Sequence, residues 1–456
     1  MSSVYVVTDF GACADGKTSS SFAIERAIRA CADAGGGTVY IPAGDFLTGS
    51  IQLYSNVRLY LEHGAQLLFA QEESSYPLVD SRWEGVDCLV YRACIYACNA
   101  ENVTIEGGGT VNGQGEYWWR KHLRGELAYP RPRLVCLQDC KHAVVRGVKL
   151  VNSPSWTLHP LGCQDVLIDG VSIINPPDSP NTDGINPESC DGVRIQGCYI
   201  SVGDDCLTLK SGTQHARNRI PCQNITITGC IMRDGHGGIV IGSEMSGDVR
   251  NVVVCNCVFH RTDRGIRIKS RRGRGGVVED ILVSNVIMDE VSCPFVMNLY
   301  YFCGPDGHSP YVQSRIAQKL DGSTPQIRRI RFSGITAKNC RSAAGFVYGL
   351  AERPIEDIGF ENVLITMGKG FAPELPAMLD DCAPAAQAGF FAGFARGLTF
   401  SRVEICGAQG PAFHIENSYG VCFESCRTSA CTGETFFLKN VETVCAHNLC
   451  QRMENS

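Results

Sequence analysis

The stretch DVLIDG, Asp165 to Gly170, sets a polar residue before alternating apolar side chains and closes on glycine. Alternation with period two reads as a strand with one face buried. The same six-residue frame returns as NVTIEG from Asn102, HAVVRG from His142, GVRIQG from Gly192 and NITITG from Asn224. It continues as NVVVCN from Asn251, DILVSN from Asp280, RIRFSG from Arg329, DIGFEN from Asp357 and GLTFSR from Gly397. From His142 to Asp357 the successive spacings are 23, 27, 32, 27, 29, 49 and 28 residues. Strands repeating at this period without helical periodicity mark a solenoid. Two or three short strands per repeat make one coil of a parallel β-helix. Coils then stack at about 4.8 Å, with Val, Ile, Leu and Cys in columns inside.

The 49-residue interval holds an insertion, roughly Cys293 to Gln326, expected to leave the barrel as a loop. A second such stretch runs from Gly113 to Arg133. Toward the N-terminus, SSSFAIERAIRACADAGGG places Phe22, Ile24, Ala27, Ile28 and Cys31 near helical spacing. Ser or Thr can cap the start of that helix and Gly its end. A solenoid needs its open end covered, so the helix reads as a cap within about residues 1–50, with coils over about 51–456. No Pro- or Ser-rich linker divides the chain. The expectation is all-β, one catalytic domain spanning residues 1–456.

Composition narrows the function. The 456 residues are 44% hydrophobic and 19% charged, with 49 glycines that suit many tight turns. A net charge of −6 gives no global reason to bind nucleic acid or an anionic membrane. The opening MSSVYVVTDFGACADGKTSS has neither a basic n-region nor an apolar h-region. The expectation is therefore cytoplasmic, or secreted if a leader has been removed. With no leader, the 25 cysteines read as free thiols, many filling apolar slots in strands. Cys255 and Cys257 form the one C-x-C, with no second pair, so no metal is expected.

Four successive coils hold NTDGINPES (181–189), GDDCLTLKS (203–211), GHGGIVIGS (235–243) and DRGIRIKS (263–270). Aligning their terminal serines puts Asp183 under Asp205 and Asp204 under His236. Arg267 and Lys269 fall on the outward face of the next coil. Simple parity would turn Asp183 and Asp205 inward, so both are expected in or beside the turn that starts the strand. Close carboxylates cannot all ionise independently, which leaves one as a proton donor and the others as bases. Glycoside hydrolysis needs that division. Asp beside Gly also makes ordinary turns, but turn-making does not predict their alignment. The pair Asp380–Asp381 has no such neighbours and is assigned nothing. His236 stands between glycines, where a hydrogen bond to Asp204 would tune an acid. The run from Arg264 to Arg274 contains six cations and no acid. It reads as an anion grip through Arg267 and Lys269, or as a solvated basic edge. Nucleic acid is disfavoured, since no aromatic platform is interleaved.

Together NTDG, GDD, GHG and RIK (Arg267–Lys269), in this order and spacing, resemble glycoside hydrolase family 28, the polygalacturonases. IEGGGTVNGQGEYWW (Ile105–Trp119) and GSEMSG (Gly242–Gly247) are similar to its bacterial members, exo-acting ones included. The resemblance implies a right-handed parallel β-helix that hydrolyses α-1,4-linked galacturonate with inversion and no metal or other cofactor. It implies Asp204 as general acid, Asp183 and Asp205 as the pair activating water, and His236 as assistant to the acid. Arg267 and Lys269 would contact the substrate carboxylate, and Asn181 of the NTDG motif is a further substrate contact. The family's tyrosine beyond RIK is taken as Tyr300 in preference to Tyr301. Rhamnogalacturonan hydrolases of the family generally depart at GHG, so His236 favours plain galacturonan. The expected partner is a pectic oligogalacturonide, cut from its non-reducing end. Endo action, rhamnogalacturonan or xylogalacturonan hydrolysis, a Ca²⁺-dependent pectate lyase and a non-catalytic polysaccharide-binding β-helix are the alternatives.

Overall fold

The computed structural model of the chain describes residues 3–448 and 450–451. They form two compact units, residues 3–209 with 215–230, and residues 210–214 with the described residues from 231 on. Each is built of parallel strands wound as a right-handed β-helix.

The recurring six-residue frame has a backbone cause. In all ten frames quoted above, both end residues adopt left-handed backbone. The opening residue has φ between 52° (Asp165) and 75° (Gly192), and the closing residue between 52° (Asn362) and 121° (Gly107). Asn, Asp and Gly enter that region at least cost, which is why polar residues and glycine bracket each alternation. Where another residue stands there, a neighbouring coil holds it. His142 Nδ1 meets Asp165 Oδ2 at 2.8 Å, and Arg329 Nε donates to Asp280 Oδ1 at 2.7 Å.

Between the corners, inward side chains stack in register. In the first unit Val39, Leu59, Ile105, Val145, Ile168, Ile195 and Ile227 pair strand to strand, and all are buried. A second column runs through Ile51, Ile95, Val135, Leu158, Ile185 and Leu207. In the second unit the column turns aromatic, as Phe332, Phe360, Phe400 and Phe423 stack at 4.9–5.3 Å between centroids, within 13° of parallel.

The N-terminal helix spans Ser21–Asp33 and packs on the strands Val4–Val6, Gly37–Ile41 and Ile51–Leu53. Its buried face is Ala23, Ile24, Ala27, Ile28 and Cys31. Phe22 is not part of it: the ring is 74% exposed and lies under the Arg26 guanidinium. Ser20 occupies the N-cap, but its hydroxyl serves Cys13 instead of the helix. Ala34 ends the helix, and left-handed Gly35 follows it.

The excursions also differ in detail. Cys293–Asn298 is a strand paired on both sides, so the later loop begins after Asn298. The earlier one carries a helix, Glu116–Leu123. An antiparallel hairpin not expected from the sequence, Leu78–Trp83 with Val86–Tyr91, turns at Glu84 and Gly85, both with positive φ. No helix among the described residues is long and apolar enough to cross a membrane. The cysteines with described side chains are free thiols.

Phe360 touches four other rings in the second unit. Phe360→Ala is expected to cost about 3–5 kcal/mol, read as a lower denaturant midpoint with little change in m-value.

Candidate active site

The apolar column of the first unit leads directly to a carboxylate cluster. Ile185 bridges Leu158 on one side and Leu207 on the other. That register sets Asp183 beside Asp205, and the Gly184 amide donates to the Asp205 carbonyl at 3.0 Å. Asp205 opens the strand Asp205–Leu209, and Asp183 lies two residues before the bridged Ile185. Carboxylate oxygens of Asp183, Asp204 and Asp205 all lie within 4.8 Å of one another. Two glycines permit this. A Cβ on Gly184 would stand 2.3 Å from the Cys206 carbonyl oxygen, and one on Gly203 would stand 2.3 Å from that of Ser179.

The three aspartates are not equivalent. Asp183 and Asp205 are buried, at 3% and 1% exposure, and Asp204 is half-open. Asn186 Nδ2 donates to Asp183 at 3.1 Å, and the Asp205 amide donates to Asp204 Oδ1 at 2.8 Å. Full ionisation of so close a trio is opposed by mutual repulsion. Half-open Asp204 is the member placed to reach a substrate, while Asp183 and Asp205 lie deeper. Among the described residues this trio is the one group of His, Cys, Asp or Glu side chains close enough to share a cation, and the cysteines form none.

Arg131, from the excursion after Asn112, lies against the same turn. It is 2% exposed. Its Nη1 donates to the carbonyls of Pro154 and Pro180 at 3.1 and 2.9 Å, and its Nη2 to Asn181 Oδ1 at 2.6 Å. Burial pulls its pKa down to about 10, against the opposing pull of Glu84, Asp183 and Asp204. Asn181 itself has φ 52°. Beyond Arg131 opens a cavity of about 300 Å³, lined also by Trp83 from the hairpin and by His122 and Tyr129 from the excursion. Trp83 is held by stacking on the buried Trp156, centroids 4.9 Å apart.

In the second unit the strand Arg264–Lys269 pairs with Gly237–Gly242, setting Arg267 beside Val240 and Lys269 beside Gly242. The six cations from Arg264 to Arg274 are each no more than 8% exposed, which excludes the solvated basic edge. Arg267 and Lys269 both sit 5.4 Å from the centre of the Tyr301 ring. Tyr300 is the wrong tyrosine: it is fully buried, with Arg315 4.0 Å over its ring, and cannot reach a substrate. His236, just before the strand Gly237–Gly242, is exposed. Glu244 is buried and takes Lys210 Nζ at 2.8 Å.

Residues 31–374 match the glycosyl hydrolases family 28. The chain belongs to that family. A probable polygalacturonase of Vitis vinifera is 35% identical over 371 residues, 79% of this chain and 73% of that protein. An endo-polygalacturonase of Pectobacterium carotovorum is 31% identical, covering 77% of this chain and 85% of its own length. In structure, a hyperthermoactive exopolygalacturonase from Thermotoga maritima superposes with a TM-score of 0.76 at 29% identity, over 88% of this chain and 91% of that one.

For this family 28 hydrolase, Arg131, Trp83, Tyr301 and Glu244 were not singled out from sequence as site residues. Only Tyr301 had a local signal, its place beside the chosen Tyr300. Glu244 also governs acid tolerance. Burial would raise its pKa, but Lys210, Arg274 and Lys269 outweigh it and hold the carboxyl at about 2, below the usual 4.5. Its contribution to stability is therefore full above about pH 4.5 and lost as pH falls toward 2. Glu244→Gln should unfold more readily than wild type at pH 6, and the gap should close by pH 2 in denaturation curves.

Proposed function

We propose that the protein is an exo-acting polygalacturonase that releases galacturonate from the non-reducing end of oligogalacturonides. Family membership and the 35% identical relative support hydrolysis of α-1,4 bonds between galacturonate residues. The observation that carries the chemistry is the trio of carboxylates within 4.8 Å, two buried and one half-open.

In this reading half-open Asp204 donates its proton to the departing glycosidic oxygen. Asp183 and Asp205 take a proton from the water that attacks the anomeric carbon. His236 assists the acid. Arg267 and Lys269 grip the substrate carboxylate, and Tyr301, backed by both cations, replaces Tyr300 as the aromatic contact. Asn181 contacts substrate from the turn that bears Asp183. The whole chain acts as one catalytic domain.

Exo action draws support from the hairpin and the 113–133 excursion, which line a cavity beside Arg131. The Thermotoga maritima neighbour supports a bacterial, exo-acting type. Free thiols support a reducing, cytoplasmic setting. Inversion rests on the motif resemblance. Carboxyls this close are nearer the retaining separation of about 5 Å than the inverting one of about 6.5–9.5 Å, so stereochemistry is a demanding test. NMR of the first turnovers should show the β-anomer, and an initial α-anomer would overturn inversion.

On an oligomer labelled at its reducing end, the labelled species should shorten one residue at a time. Mixed internal fragments at early times would sink exo action. Asp204→Asn should lower kcat by about 10³-fold or more with KM little changed. The trio could also ligate a divalent cation, as a lyase would require. Chelator should leave the rate unchanged, with no product absorbing in the ultraviolet.

A further inference from the structure

Arg131 is a buried cation with no carboxylate hydrogen-bonded to it among the described residues. Its three hydrogen bonds run to two carbonyls and an amide oxygen, and none runs to a carboxylate. A lone buried charge is costly, and the cost shows in its depressed pKa. Burial of this kind is held by something the structure gains nearby. Two of its three acceptors, Pro180 and Asn181, belong to the turn that delivers Asp183. The third, Pro154, belongs to the preceding coil. The guanidinium thus ties the excursion, one coil and the aspartate turn together, and it is planar and forked in a way that lysine is not.

We infer that Arg131 is a positioning residue for the carboxylate cluster, clamping the Pro180–Asp183 turn and supplying the cation against which Asp183 ionises. The charged and titratable groups around it are Glu84 from the hairpin, Asp183 and Asp204 from the cluster, and His122 from its own excursion. The first three are acids, and a polygalacturonate substrate brings more negative charge. Without Arg131 the cluster would hold its protons to higher pH. Its base would then reach the working form later on an upward pH titration. Arg131 acts through the aspartates, so this inference rests on their catalytic role proposed above.

The test compares Arg131→Gln, Arg131→Lys and Asn181→Gly on oligogalacturonide, each checked for folding by circular dichroism. Arg131→Gln should move the acidic limb of the kcat/KM profile upward by about one pH unit and lower kcat about tenfold or more. Arg131→Lys keeps the charge and loses the fork, so its limb should return to the wild-type position while kcat stays reduced. Asn181→Gly keeps the left-handed backbone but removes both the acceptor and the proposed substrate contact, and should lower kcat as well as raise KM. A purely structural Arg131 would lower stability without moving the limb. An unmoved limb in Arg131→Gln, or the same displacement in Arg131→Lys, overturns the inference. Should Arg131→Gln fail to fold, the other two decide: an Asn181→Gly variant with full kcat, or with only KM raised, overturns the clamp. A wild type that does not hydrolyse galacturonan would instead refute the proposed function, which separates the two failures.

Discussion

The left-handed corner is the constraint on which the structure depends. Each six-residue frame is bracketed by two such corners. They fix how long each strand is and where the chain turns out of the sheet. With strand length fixed, a coil stacks on its neighbour in one register, since a slip of one residue would turn the apolar column outward. The column from Ile51 to Leu207 then determines which polar residues meet at the strand ends. Asp183 meets Asp205 because Ile185 meets Leu207. The geometry of the carboxylate cluster is here a by-product of hydrophobic register.

A charged site inside a solenoid needs electrostatic compensation, and the two units solve this differently. In the first, two of the three aspartates, Asp183 and Asp204, act on one buried arginine whose hydrogen bonds run to neutral acceptors. In the second, a crowded run of cations is divided among unlike partners. Arg272 forms a two-pronged ion pair with Glu352 at 2.6 and 2.9 Å and donates to three carbonyls of the later excursion. Lys210 takes Glu244, and Arg267 and Lys269 back a tyrosine ring.

What was legible in the sequence was whatever repeats. Periodicity revealed the strands, the columns and the alignment of Asp183 with Asp205, because each coil restates the same pattern. Structure that leaves the repeat carries no such redundancy. The hairpin at 78–91 has a Glu-Gly turn but no second copy to confirm it. Arg131 sits in a proline-flanked segment, RPR, that matches no coil, and its partners lie 23 to 50 residues away. Adjacent tyrosines defeat the reading for another reason. One residue step along an extended chain reverses the side chain, so Tyr300 goes inside and Tyr301 meets the cations. Phe22 shows the helical version: the apolar arc was judged by residue type, and Ala23, small and easily overlooked, took the buried place.

Two neighbouring aspartates sit in different surroundings because the backbone between them changes state. Asp205 is the first residue of a strand and shares that strand's burial; Asp204 still belongs to the turn. Gly203 lets the turn press against the Ser179 carbonyl, and Gly184 lets the next coil press against Cys206. A side chain at either glycine would force the coils apart at the point where the carboxylates meet. The requirement is close approach, as neither glycine has positive φ. The same contact that crowds three negative charges also holds them at unequal depth, with Asp204 the most open of the three.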